Sequence, residues 1–92
     1  MIKITLHKRG AVMKWIGNVD SIVNTGEPGK CPLCGSENTD YKATITGPYG
    51  IGILDVWCND CMQGFHIEPA RFNSPVKTTG RVPKNLRYGN NL

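Results

Sequence analysis

The sequence predicts a small α+β protein: an N-terminal strand and an amphipathic helix pack on or beside a three-stranded antiparallel sheet, and an extended arm follows. Three observations predict this class. Residues 2–6 alternate between apolar and polar, residues 11–24 follow a helical period, and strand-like runs at 40–46 and 53–58 flank a turn. A chain of 92 residues fits one domain, and cores this small are commonly supplemented by metals or disulfides.

The first two elements are predicted from a change of period. Isoleucine and leucine alternate with polar residues over 2–6, which is typical of a half-buried strand. A helix is then predicted from Ala11 to Asn24, and Gly26 and Pro28 follow it as stop signals. Its apolar face, expected to be core, consists of Ala11, Val12, Trp15, Ile16, Val19, Ile22 and Val23. Its polar side consists of Lys14, Gly17, Asn18, Ser21 and Asn24.

Three further strands are predicted in the middle of the chain. DYKATIT at 40–46 is rich in β-formers, GPYG at 47–50 is a turn, and ILDVWC at 53–58 is the returning strand. QGFHIE at 63–68 predicts a third strand, which Pro69 is expected to end.

Charge is spread unevenly along the chain, whose net charge is +4. Residues 1–30 hold five basic and two acidic residues, residues 31–69 one basic and five acidic, and residues 70–92 five basic and no acidic ones. Residues 70–92 therefore form a basic arm. This arm can contact phosphates, dock on an acidic protein or on this protein's own acidic middle, or remain solvated. Its cations are Arg71, Lys77, Arg81, Lys84 and Arg87.

The sequence also indicates a compartment. No run approaches the roughly 20 apolar residues that cross a bilayer, so no membrane contact is expected. The N-terminus lacks the continuous apolar stretch of a signal peptide. A cytoplasmic location is therefore expected, and in that reducing environment paired cysteines favour a metal over disulfides.

All four cysteines fall into two pairs of identical spacing. Cys31 and Cys34 precede the predicted hairpin, and Cys58 and Cys61 follow it. Because a hairpin returns the chain to its start, the four sulfurs are expected to meet around one tetrahedral zinc ion at about 2.3 Å. Four thiolates close the zinc shell, which favours a structural role over catalysis. Iron in a rubredoxin-like site and a redox dithiol are the alternatives.

The motif CPLCGS, the strand, turn and strand after it, and WCNDC followed by an aromatic residue resemble the zinc ribbons, small rubredoxin-like modules that bind their metal through four cysteines. The resemblance covers about residues 30–68, less than half of the chain, and implies a structural zinc. Gly35 matches the small residue that follows the first knuckle, as the turn around a cysteine pair is called. The second knuckle departs from the pattern, because its glycine comes only at Gly64.

The resemblance says little about the role of the protein. Zinc ribbons include transcription factors, polymerase subunits, ribosomal proteins and adaptor modules, so the shared fold does not select a function. Transcript-cleavage ribbons carry an acidic pair at the hairpin tip. The tip here is GPYG at 47–50, without a carboxylate, which excludes that chemistry.

Other polar and aromatic residues have both functional and structural interpretations. His7 and His66 could be bases but are expected to lie on strand surfaces. Trp57 is expected to pack on the ribbon or the helix, whereas Tyr49, at the turn, is the better candidate for a partner or nucleobase contact. The acids of the metal region could form a catalytic pair but are expected to be solvated; they are Glu37, Asp40, Asp55 and Asp60.

These patterns predict a non-enzymatic binding or adaptor protein that acts on protein partners in a regulatory assembly. The alternative is nucleic-acid binding through the basic arm and Tyr49. An enzyme would need a pocket and a poised acid or nucleophile, which the sequence does not show. The expected organisation is a strand–helix segment at 1–29, a zinc ribbon at 30–69 and the arm at 70–92.

Overall fold

The computed structural model describes residues 9–88, with side chains from residue 14 onward. Over this part of the chain it has one helix and four strands, which confirms the α+β class. The predicted strand at 2–6 and His7 lie outside the described residues. The elements are α1 (Arg9–Thr25), β1 (Thr39–Ile45), β2 (Ile51–Cys58), β3 (Gln63–Arg71) and β4 (Arg87–Tyr88).

The four strands form one mixed sheet in the order β1-β2-β3-β4. β1 and β2 pair antiparallel, as do β2 and β3, and Val56 lies opposite Phe65. The antiparallel prediction is right for these three strands. It is incomplete for the sheet, because β4 adds to β3 in parallel, with Gln63 opposite Arg87. A parallel pair needs a long connection, and residues 72–86 provide one.

The third strand runs past the residue that was expected to end it. Pro69 lies inside β3, which continues to Arg71. The register shifts between the pair Gly52–Ala70 and the pair Leu54–Ile67, so β3 carries an extra residue beside Pro69. Proline is tolerated at such a bulge, because the amide hydrogen that it lacks is not needed for pairing there.

The helix covers one face of the sheet, where it packs against β2 and β3. Trp15 and Ile22 are 1% and 0% exposed in the main apolar cluster. Among the side chains described in α1, two differ from the prediction, and the predicted core positions Ala11 and Val12 lie outside the described side chains. Ile16, expected in the core, is 44% exposed, and Asn18, expected on the polar side, is 5% exposed. The buried arc is therefore rotated away from Ile16 and towards Asn18.

Hydrogen bonds to the segment before the first cysteine explain this rotation. The side-chain oxygen of Asn18 accepts a hydrogen bond from the amide of Gly29, and its Nδ2 donates to the carbonyl oxygen of Lys30 at 2.8 Å. A buried amide with both groups paired avoids the cost of desolvation. Asn18 thus joins α1 to the chain that enters the first knuckle. No helix that the structure describes is long and apolar enough to pass through a bilayer.

The beginning of the basic arm is packed rather than freely extended. The amide of Phe72 donates to the carbonyl oxygen of Gly50 at 2.9 Å, and the amide of Asn73 donates to that of Val23 at 2.7 Å. At the far edge of the sheet, the amide of Ala43 donates to the carbonyl oxygen of Lys77 at 2.9 Å. Residues 72–77, called the strap below, therefore connect the end of α1 to β1.

Candidate metal centre

The four cysteines meet at one end of the sheet. Cys31 and Cys34 lie in the turn before β1, Cys58 ends β2, and Cys61 lies in the turn before β3. Their four Sγ atoms all lie within 4.8 Å of one another. Cys31 Sγ is 3.7 Å from Cys61 Sγ, and Cys34 Sγ is 3.6 Å from Cys58 Sγ. The hairpin thus brings together the two pairs that the sequence separates by 23 residues.

The spacing of the sulfurs fits a tetrahedral metal ion. Four metal–sulfur bonds of about 2.3 Å in a regular tetrahedron place the sulfurs about 3.8 Å apart. The two short distances across the knuckles, 3.7 and 3.6 Å, are close to that value. Thiolates are soft ligands that suit zinc and iron. The four side chains are therefore close enough to hold one metal ion jointly.

Both knuckles form the same backbone turn. The amide of Gly35 donates to the carbonyl oxygen of Cys31 at 2.9 Å, and the amide of Met62 donates to that of Cys58 at 3.0 Å. The residue after each pair has a positive φ, +77° at Gly35 and +57° at Met62. The second knuckle thus adopts the turn without a glycine, and Met62 bears the left-handed conformation that L-residues disfavour.

Backbone amides point at the first sulfur of each pair. Leu33 and Cys34 donate to Cys31 Sγ at 3.4 and 3.5 Å. Burial tends to raise the pKa of Cys58, but hydrogen bonds from the backbone of Cys61 and Asp60 lower that pKa to about 7. Because amide donors stabilise a thiolate more than a thiol, these turns favour the form of cysteine that binds metals.

The other thiol of the second knuckle has a raised pKa, because there burial outweighs the backbone hydrogen bond. Burial raises the pKa of Cys61 to about 12, against a hydrogen bond from the backbone of Gln63. Neighbouring sulfurs add to the rise, since a negative charge on one disfavours ionisation of the next. A cation at the centre reverses this effect, because it attracts all four thiolates. Metal binding at the cluster therefore releases protons.

The cluster is continuous with the hydrophobic core. Cys31 and Cys58 are 2% and 0% exposed and belong to the same apolar cluster as Trp15 and Phe65, and Cys61 packs against it. Cys34, in contrast, is exposed. A metal ion bound here would cross-link residues at the end of the core, and one of its four sulfur ligands would lie at the surface.

Polar side chains also join the two knuckles. Ser36 Oγ donates to one carboxylate oxygen of Asp60, and Asn38 Nδ2 donates to the other at 3.1 Å. The amide of Asn59 donates to the carbonyl oxygen of Asn38 at 2.9 Å. Hydrogen bonds from Ser36 and then Asn38 lower the pKa of Asp60. Asp60, expected to be a solvated charge, is exposed but tied to the opposite knuckle.

Sequence reasoning missed Ser36, Asn38 and Asn18 as residues that support the site. The available signal was composition: short polar residues flank both cysteine pairs, and such residues commonly bond to nearby backbone. That signal does not say which of them face one another. The choice of partners depends on how the hairpin brings the knuckles together.

The candidate contact residues do not all gather in one place. Tyr49 is 85% exposed at the β1–β2 turn, and Arg71 lies at the same end of the sheet, opposite Ile51. Arg87 lies at the other end of the sheet, because it pairs with Gln63. Gln63 precedes Arg71 by eight residues in β3, which is about 26 Å at the rise of a strand. Arg81, Lys84 and Arg87 are exposed.

Lys77 docks on the acidic middle of this same chain. Its Nζ lies 2.5 Å from an Asp40 carboxylate oxygen and 5.8 Å from the centre of the Tyr41 ring. Both Lys77 and Asp40 side chains are 41% exposed, so the pair adds little to stability. The charge distribution allowed the arm to dock on the acidic middle of its own chain, and Lys77, one of the five cations, makes such a contact.

A separate polar cluster lies on the face of the sheet opposite the helix, called the outer face. His66 Nδ1 is 2.7 Å from Asp55 Oδ1, and its Nε2 is 3.5 Å from Glu68 Oε1. Burial opposes the charged imidazole, but Asp55 and Glu68 raise the pKa of His66. Tyr88 of β4 meets the His66 ring edge-on at 6.4 Å between centroids. The expected strand-surface histidine is therefore half-buried and paired.

Trp57 packs on the same outer face rather than against the helix. Successive strand residues point to opposite faces, and its neighbour Val56 faces the helix. Trp57 is 3% exposed, and its Nε1 donates to Asn59 Oδ1 at 3.0 Å. Trp57 was expected to pack on the ribbon or on the helix, and it is observed to pack on the sheet.

No protein-family model matches this chain, and neither a curated protein nor a solved structure matches it. The resemblance to zinc ribbons therefore depends on the motif, the hairpin and the sulfur cluster described above.

Proposed function

We propose that the protein is a zinc-binding module in which Cys31, Cys34, Cys58 and Cys61 hold one structural zinc ion. The observation that supports this most is the convergence of four sulfurs at distances suited to a tetrahedral ion. Four protein thiolates leave no coordination position for water, so the ion has a folding role. The supplied chemistry is charge neutralisation and cross-linking of the two knuckles.

The module is proposed to act without catalysis, as a binding or adaptor protein for protein partners. Its best contact candidate is the hairpin tip. Residues 43–54 contain no charged side chain, and Tyr49 and Ile45 at the tip are 85% and 47% exposed. Tyr49 also holds a φ of +60°, which costs free energy without burying its ring. An uncharged, apolar tip suits the surface of a protein better than a phosphate backbone.

Metal analysis of the protein purified from its native cell tests the zinc centre. The expected content is one zinc per chain, with cobalt substitution giving the intense ligand-to-metal absorption of a four-thiolate site. Replacement of Cys31 by serine and, separately, of Cys58 by serine should each weaken binding of the metal ion, because the ligands come from both knuckles. A metal-free native protein, or coordination by one pair alone, would overturn the proposal.

Nucleic-acid binding is the second candidate, and the exposed cations of the arm favour it. Arg81, Lys84 and Arg87 lie in a stretch without acids. If they contact phosphates, affinity for a duplex DNA probe should fall with salt at a logarithmic slope of about −0.9 per neutralised phosphate. Charge reversal of the three should then abolish binding, whereas reversal of Lys77, which is paired with Asp40, should matter less. Salt-independent binding to a protein partner favours the adaptor instead.

A further inference from the structure

Ser36, Asn38 and Asp60 connect the two knuckles outside the sulfur cluster and are called the clasp below. We propose that Asp60 is a positioning residue of the metal centre, whose carboxylate holds the first knuckle against the second and so slows release of the ion. This inference rests on the proposed zinc site. Both oxygens of Asp60 take part, one accepting from Ser36 Oγ and the other from Asn38 Nδ2 at 3.1 Å.

The clasp acts directly on the ligand-bearing turns. Asp60 lies between Cys58 and Cys61 in the sequence. On the other side, the carbonyl oxygen of Ser36 accepts a hydrogen bond from the amide of Cys31 at 2.8 Å. Ser36 therefore closes the first knuckle through its backbone and reaches the second knuckle through its hydroxyl.

A backbone contact and a side-chain turn make the clasp stiff. The hydroxyl of Ser36 accepts a hydrogen bond from the amide of Asn38 at 3.0 Å while it donates to Asp60. The amide of Asn59 donates to the carbonyl oxygen of Asn38 at 2.9 Å. Movement of one knuckle away from the other thus requires several bonds to break together.

A chelator would remove a bound zinc ion by replacing one thiolate after another, and each freed thiolate could rebind while its knuckle stays in place. A clasp that holds both knuckles keeps the effective concentration of the freed pair high. Residues that orient metal ligands typically change affinity by about 10–100-fold when they are replaced. Loss of the clasp should therefore accelerate release by about tenfold.

The charge of Asp60 distinguishes a clasp from an ordinary surface acid. A zinc ion with four thiolates would carry a net charge of about −2 in place of four neutral thiols, so a nearby carboxylate disfavours the metal-bound cluster and neutralising that carboxylate should favour it. If Asp60 were only a charge, Asp60→Asn would leave release unchanged or slow it. If Asp60 is a clasp, the same variant weakens a hydrogen-bonded pair and accelerates release. The two roles predict opposite signs.

The experiment measures transfer of zinc from the loaded full-length chain to an excess of a colorimetric chelator. Asp60→Asn and Ser36→Ala should each release zinc about tenfold faster than the wild type. Ser36→Thr keeps the hydroxyl and should restore slow release. Glu37→Gln is the matched control, because Glu37 is an exposed acid between the two donors and takes no part in the clasp.

A double-variant comparison and a spectrum complete the test. Because Ser36 and Asp60 share one hydrogen bond, the two substitutions should be less than additive, so the double variant should release zinc well under about 100-fold faster than the wild type. The cobalt spectrum of Asp60→Asn should keep its four-thiolate form, since no ligand is lost. Equal release from Asp60→Asn and Glu37→Gln, slower release from Asp60→Asn, or additive effects would overturn the inference. A wild-type chain without zinc would instead overturn the proposed function.

Discussion

At the scale of single residues, the two knuckles offer the same backbone turn with different residues in its left-handed position. Gly35 has a φ of +77°, and a Cβ built on it has no heavy atom within 4 Å. Any penalty for a side chain there is therefore conformational and not steric. Met62 already bears that penalty at a φ of +57°.

Gly35→Ala should reduce the free energy of unfolding by about 1 kcal/mol, because an L-residue in the left-handed region costs about 1–2 kcal/mol. Met62→Gly should cost less than Gly35→Ala, although it removes a larger side chain, because it relieves that conformation. Denaturant unfolding of both zinc-loaded variants makes the comparison. A larger loss in Met62→Gly would show that packing of the methionine outweighs its backbone conformation.

His66 makes stability depend on pH through its contacts on the outer face. Asp55 of β2, Glu68 of β3 and Tyr88 of β4 surround it, and Lys42 lies opposite Asp55 in β1. The folded protein raises the pKa of His66 above its ordinary 6.5, since the carboxylates outweigh burial. The resulting stabilisation is complete below pH 6.5 and is lost as the pH rises through the folded pKa.

The wild type should be more stable than His66→Gln. The difference in their free energies of unfolding should be roughly 0.5 kcal/mol larger at about pH 6 than at about pH 8.5. The magnitude is small because the His66 side chain is 35% exposed and solvent screens the pair. Denaturant titrations of both zinc-loaded proteins at the two pH values measure the difference. Since the proposed metal site is the same in both proteins, its own pH dependence cancels. A constant difference would refute a charged pair.

At the scale of elements, the orientation of α1 about its axis decides which of its isoleucines contributes to stability. Ile22 is 0% exposed and Ile16 is 44% exposed on the same helix. Ile22→Ala should destabilise the protein by about 3 kcal/mol, because it leaves a cavity under α1. Ile16→Ala is the matched control and should change stability by less than about 0.5 kcal/mol. Thermal unfolding followed by circular dichroism measures both, and equal losses would contradict the observed orientation of α1.

The elements also show what the sequence can and cannot predict. Local periodicity predicted the helix and the three antiparallel strands, because each depends on neighbours a few residues away. It placed Ile16 in the core and Asn18 outside, since periodicity does not say which polar residue finds backbone partners in a distant linker. The two residues of β4, Arg87 and Tyr88, have no local pattern, and they pair with β3, which is distant in the sequence.

In the candidate site, too, some features could be predicted from the sequence and others could not. Identical spacing and a hairpin between the pairs were enough to predict that the four cysteines converge. The turn at Met62 was not predictable, because its φ of +57° lies in the left-handed region that methionine disfavours. The partners of Asp60 depend on the packing of one knuckle against the other, which no sequence pattern specifies.

At the scale of the whole molecule, the cysteine cluster and the core form one unit. Cys31 and Cys58 are buried in the cluster that also contains Trp15. Structural zinc binds with an apparent free energy of about 10–16 kcal/mol, comparable to the whole stability of a domain at about 5–15 kcal/mol. Removal of the ion should therefore unfold more than the knuckles.

Treatment with a tight chelator should unfold at least residues 31–68, with loss of the β-sheet signal in circular dichroism and a red shift in tryptophan fluorescence. The fluorescence change is expected because Trp15 and Trp57, 1% and 3% exposed, would become hydrated. Added zinc should restore both signals, which controls for damage by the chelator. An unchanged spectrum after removal of the ion would contradict this prediction.

The strap has a consequence for any attempt to transfer the cysteine-bearing sheet to another protein. Residues 72–77 bridge the end of α1 and the edge of β1, and the chain then returns to pair with β3. Excision of residues 30–69 would expose the face of the sheet that α1 covers and would also leave the edges at β1 and β3 unpaired. Transplantation into another protein would thus need the preceding helix and the following segment as well as the cysteines.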